Sequence, residues 1–138
     1  MSEVVTGVFG ELAKTFRVPI GGATELRAAQ SGAIHAIAAH FTNKKEPAII
    51  TLPTGAGKTA VLLAAPVLLS SSRVLVLAPS RMLREQLAAE FKSLHQLTTL
   101  GLVEDMGKLP RTHLTNCRER IMMHASWTNA RKFSTRRS

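Results

Sequence analysis

The chain has 138 residues, 45% of them hydrophobic, which allows one packed domain and excludes a long disordered polymer. Its formal charge of +9 is uneven: eleven Lys/Arg against eight Asp/Glu leave +3 in residues 1–110, and seven against one leave +6 in residues 111–138. The single cysteine, Cys117, excludes an internal disulfide framework, and no Cys/His cluster at zinc-ligand spacing surrounds it.

Residues 1–23 form a weakly patterned lead-in that carries Pro19, Gly21 and Gly22. Thr24 is a suitable N-cap for a helix over 25–43, because Leu26, Ala29, Ala33, Ile37 and Phe41 recur at helical spacing. Residues 48–52, Ala-Ile-Ile-Thr-Leu, read as a short buried strand entering a Pro/Gly loop. A helix over 58–69 follows, with Pro66 expected to kink it. Residues 73–78 read as a second buried strand stopped by Pro79. Residues 82–94 read as an amphipathic helix with Leu83, Leu87, Phe91 and Leu94 on one face, and 97–103 as a third strand. Strands alternating with helices predict an α/β fold with a parallel sheet covered by helices. Residues 106–138 show no sustained period and form a basic C-terminal segment.

The run Leu52-Pro53-Thr54-Gly55-Ala56-Gly57-Lys58-Thr59 carries the clearest chemistry. Gly55 and Gly57 permit backbone conformations closed to other residues and let a phosphate approach. Backbone N–H groups and a helix N-terminus then supply partial positive charge. Lys58 is placed to reach the β- and γ-phosphates, and the Thr59 hydroxyl to take one Mg²⁺ position. Leu52 stands where the general pattern has a first glycine. The expected ligands are ATP and Mg²⁺, held by Pro53, Thr54, Gly55, Ala56, Gly57, Lys58 and Thr59.

Three blocks over residues 24–95 resemble the first RecA-like domain of superfamily 2 helicases and translocases, of the DEAD/DEAH or type III restriction enzyme-like kind. The first, Leu26-Arg27-Ala28-Ala29-Gln30, resembles the helix whose glutamine recognises adenine. That resemblance implies a nucleotide role for Gln30, with Arg27 as its neighbour. The second is the phosphate loop. The third is the run from Arg73 to Gln86, including Ala78-Pro79-Ser80-Arg81. It resembles the segment that touches the sugar-phosphate backbone of the bound strand, implying nucleic-acid contact at Pro79, Ser80 and Arg81, with DNA favoured over RNA as the partner and the choice between them left open by the sequence.

The implied fold is a partial RecA-like P-loop NTPase domain over 24–105, three-layered with a parallel sheet and truncated before the acidic (Walker B) motif. The sole aspartate, Asp105, follows Glu104 too soon after the third block to serve as that motif, so no catalytic residue is assigned. The family also needs a second RecA-like domain. The chain is therefore expected to be a helicase fragment, or one piece of a split helicase whose remainder is its partner. It should bind ATP without hydrolysing it alone. A second reading from another class is a non-catalytic module that binds nucleic acid through its basic end; a short basic tail is also often a solvated end. Met1-Ser2-Glu3 does not begin a secretory signal, and the apolar run over 60–69 is too short to span a bilayer, so a cytoplasmic location with no membrane partner is expected.

Overall fold

A computed structural model describes residues 7–18, 26–104, 107 and 109–114. Five helices follow in order: α1 (Val8–Ala13), α2 (Ala28–Asn43), α3 (Lys58–Leu68), α4 (Arg81–Ser93) and α5 (His95–Thr99). Helix α3 is the hub, packing against α1, α2, α4 and α5. Its sequence, Lys-Thr-Ala-Val-Leu-Leu-Ala-Ala-Pro-Val-Leu, is apolar almost all round, which is the composition of a central helix. Leu63, Ala64 and Val67 have no exposed surface.

The main core gathers Leu63, Ala64 and Val67 of α3 with Phe9 and Leu12 of α1, Ile34 of α2, Phe91 and Leu94 at the end of α4, and Leu97 and Leu102 beyond. Phe9 and Phe91 meet edge to face with ring centroids 6.5 Å apart, an arrangement aromatic quadrupoles favour. Each large side chain removed from water here contributes about 1.5–3 kcal/mol. Helix α1 thus joins the core although its residues fall within the weakly patterned lead-in. Six residues are too few to reveal a helical period, and only Phe9, Gly10 and Leu12 are buried.

The expected α/β fold is corrected by this arrangement. No β-strand or sheet occurs among the described residues, so they form neither the three-layer parallel-sheet architecture nor its RecA-like strand order. Residues 48–52 lie between α2 and α3 without pairing, and Ile49 is 96% exposed. Over 73–78, burial alternates residue by residue: Val74 and Val76 lean on the core while Leu75 and Leu77 face outward. That alternation belongs to an extended chain lying on a surface. A strand also needs a neighbour's N–H and C=O groups, and β-branched composition does not supply one. The expected third strand over 97–103 is instead α5 and a turn: Leu102 N–H donates to Leu97 O (2.9 Å), and Gly101 closes the turn at φ 65°.

The helical expectations agree within a few residues. Helix α2 ends at Asn43 as its pattern predicts, but its N-cap is Arg27, and Thr24 lies outside the described residues. Helix α3 starts at Lys58 and runs through Pro66 to end at Leu68. Pro66 has no N–H to donate to Leu62 O, and its ring crowds that carbonyl. Ser80 caps α4, its Oγ accepting from Leu83 N–H (3.2 Å). On α4, Leu87 and Phe91 are buried as expected, whereas Leu83 is exposed.

Candidate nucleotide site

The glycine loop is built from its turn outward. Ala56 N–H donates to Pro53 O (3.2 Å), closing a turn over 53–56. Gly55 and Gly57 both adopt φ 79°, the left-handed region that side-chain-bearing residues avoid. Gly57 is the N-cap of α3, and no side chain caps that end. The first N–H groups of α3 therefore point out of the helix without an intrahelical acceptor, beside the positive end of its dipole.

The first turn of α2 holds this loop. Gln30 is 5% exposed, a rare setting for a glutamine. Its Oε1 accepts from Arg27 N–H (2.9 Å) and its Nε2 donates to Gly57 O (3.2 Å). The Arg27 guanidinium donates to Gly55 O. Two carbonyls of the loop are thus tied to one helix turn. A Cβ on Gly57 would overlap Gln30 Nε2, so glycine is required there twice, by space and by backbone conformation.

A cleft of about 490 Å³ opens at this junction, lined in part by Arg27, Gln30, Gly55, Gly57 and Ala60. Its size suits a small-molecule ligand. Lys58 and Thr59 lie on α3 between two lining residues but do not themselves line the cleft. Lys58 is exposed and Thr59 half-buried; Pro53 and Thr54 are exposed at the turn, and Ala56 is half-buried. The loop therefore precedes a helix as expected, and the segment before it is not a strand.

The family model of the type III restriction enzyme, res subunit, matches residues 23–127. The chain belongs to that family. No curated protein and no solved structure matches it. The res-subunit match takes in all three blocks that carry the helicase resemblance, and its last residues, 115–127, lie outside the described ones.

The third block sits apart from the cleft, leading into the start of α4. Pro79, Ser80 and Arg81 are exposed. Arg81 Nε donates to Glu85 Oε1 (2.8 Å) in an i,i+4 ion pair, and that hydrogen bond and charge hold the guanidinium above its ordinary pKa. Glu104 pairs at 3.9 Å with Arg17, both largely exposed, while Asp105 lies outside the described residues. No group of three or more His, Cys, Asp or Glu that could hold a metal occurs among the described residues. None of the described helices is long and apolar enough to cross a membrane. Cys117, Trp127 and most of the basic segment fall outside the described residues.

The sequence pattern did not single out α5, which also lines the cleft. Its cue, a polar residue pair on each side of Leu97, is too short to stand out from a threonine-rich strand.

Proposed function

We propose that this chain binds Mg-ATP at the glycine loop, as the nucleotide-binding part of an ATP-dependent DNA helicase or translocase. The observation that carries this reading is the pair of left-handed glycines directly before the uncapped N-terminus of α3. Such a backbone can turn several N–H groups toward one phosphate. Family membership supports the reading independently.

In this reading the loop from Thr54 to Gly57 faces the phosphates with its amides, apart from Ala56 N–H, which Pro53 O already takes. Lys58, exposed beside them, adds a full positive charge on a long stem. Thr59 fits Mg²⁺ as a single hydroxyl ligand, leaving the other positions to phosphate oxygens and water, as this ion prefers. Bound Mg²⁺ would neutralise phosphate charge. Arg27 and Gln30 fix the loop's carbonyls, so its amides need not reorganise when ligand arrives. For Gln30 to read adenine as its resemblance implies, its amide must release Arg27 or Gly57.

A ligand that binds only the folded state raises stability by about 2.7 kcal/mol at one hundred times its Kd. Millimolar Mg-ATP is therefore expected to raise the melting temperature of the wild type and to raise that of Lys58→Ala clearly less. Chelating Mg²⁺ should remove most of the shift. An equal shift in both proteins would count against the loop as the binding site.

DNA contact is proposed at Ser80 and Arg81, exposed at a helix start where phosphate is favoured. Arg81→Ala should weaken duplex binding across sequences and flatten its salt dependence by roughly one contact's worth, about 0.9 log unit per log unit of salt. An unchanged slope would remove Arg81 from the interface. Deleting residues 111–138, which carry +6 of the charge, separates this surface from the basic end. If that deletion alone abolishes binding, the end carries it.

A further inference from the structure

The extended segment between α3 and α4 leaves its main chain without partners. The backbone N–H and C=O groups of Val74, Leu75, Val76, Leu77 and Ala78 make no hydrogen bond among the described residues. Water reaches only part of this segment, since Val74, Val76 and Ala78 are half-buried, and unmatched main-chain groups in such positions are costly. The segment is nevertheless held in place. Val74 and Val76 lean on the main core, and Val76 and Ala78 line a small pocket with Leu87, Ala88 and Phe91 of α4. Leu75 and Leu77 point the other way, 57% and 68% exposed. Such a chain is a preformed strand edge. The ordering that pairing demands is already in place, and a second extended chain can add to it through main-chain hydrogen bonds.

The composition of the row decides which chain fits. Residues 74–78, Val-Leu-Val-Leu-Ala, carry no charge. A polyanion would need cations along the row, and the arginines stand only beyond its ends, at 73 and 81. An antiparallel copy of the same row matches it at every position. Residues directly opposite one another share a face, so the outward leucines must meet outward residues. Pairing centred on Val76 meets that condition with the longest uncharged overlap. Leu75 lies opposite the second copy's Leu77, Val74 opposite its Ala78, and Val76 opposite its own counterpart. Arg73 falls opposite Pro79, so no like charges face each other. Proline has no N–H to extend the ladder, so pairing stops there. The arrangement is two-fold and self-complementary, and it closes at two copies.

We propose that residues 74–78 are a homodimerisation edge, where two copies of this chain pair antiparallel about Val76. Leu75 and Leu77 of each copy pack across the resulting two-stranded ribbon. This contact lies between copies and is independent of nucleotide binding.

Sedimentation equilibrium of the full chain at rising concentration tests it. The wild type should pass reversibly from monomer to dimer and no further. Leu75→Lys/Leu77→Lys sets like charges across the ribbon and should weaken the dimer about tenfold or more. Leu75→Lys/Leu77→Glu sets each lysine opposite a glutamate and should recover most of that loss. A parallel, in-register pairing would set like charges opposite in both variants. Both leucines are exposed, so the variants should keep the helical circular dichroism of the wild type. A lost helical signal would show that the row serves the fold of one copy, and would overturn the proposal. A wild type that stays monomeric overturns it, as does open-ended growth with no dimer. Equal association of the wild type and the double-lysine variant overturns it too, as does a lysine–glutamate variant no better than the double-lysine one. If a monomeric wild type binds duplex DNA and Leu75→Ser/Leu77→Ser weakens that binding, the row belongs to nucleic acid and the dimer is ruled out.

Discussion

Gly57 carries two demands at one position. Its φ of 79° is costly for any residue with a Cβ, by about 1–2 kcal/mol. A Cβ there would also displace the Gln30 amide from the Gly57 carbonyl. Gly57→Ala is therefore expected to cost roughly 2–3 kcal/mol in urea unfolding, the sum of strain and one buried hydrogen bond. In a Gln30→Ala background the same change should cost less, because only the backbone strain remains. Equal costs in both backgrounds would show that the two residues do not couple. The exposed Arg81–Glu85 pair is a contrasting case. Glu85→Gln should change stability by less than about 0.5 kcal/mol, since exposed i,i+4 pairs are weak, and should free the Arg81 guanidinium for phosphate.

At the scale of elements, α3 decides stability because four helices rest on it. Leu63→Ala should cost about 2–5 kcal/mol through the cavity it leaves, enough to unfold much of a marginal domain. Its neighbour Leu62, 38% exposed, should cost under about 1 kcal/mol on the same change. Chemical denaturation of both variants checks the contrast, and similar losses would contradict the burial pattern. Helices α2 and α4 were legible in the sequence because their apolar residues repeat at 3.6 over thirteen or more positions, and α3 as an apolar run following the glycine loop. The Gly-rich loop before α3 was legible because its residues are contiguous and glycine takes the left-handed backbone at 55 and 57 most readily. The predicted strands failed for the opposite reason. Ile49, Ile50, Leu75 and Leu77 are apolar and extended in pattern, but strand pairing depends on distant chain, and here these side chains face outward. Helix α5 went unread because five residues hold no period, and with it went half the cleft.

For the whole molecule, family membership and the loop point to the same chemistry, whereas the helical architecture does not follow from either. A local motif survives in a sequence read alone because its residues are contiguous. A fold class depends on which segments meet. The outward-facing apolar residues at 49, 50, 75, 77 and 82 form an association liability. Replacing Ile49 and Leu77 by lysine should lower light scattering at high concentration and leave nucleotide binding intact. Loss of binding would tie these segments to the site.

The most direct measurement is a calorimetric titration of wild type and Lys58→Ala with Mg-ATP. Saturable heat with the wild type, reduced at least about tenfold in affinity by removing one charged phosphate contact, is the expected result. A flat trace with the wild type at millimolar ATP, or identical isotherms for the two proteins, would contradict a triphosphate cradle at this loop.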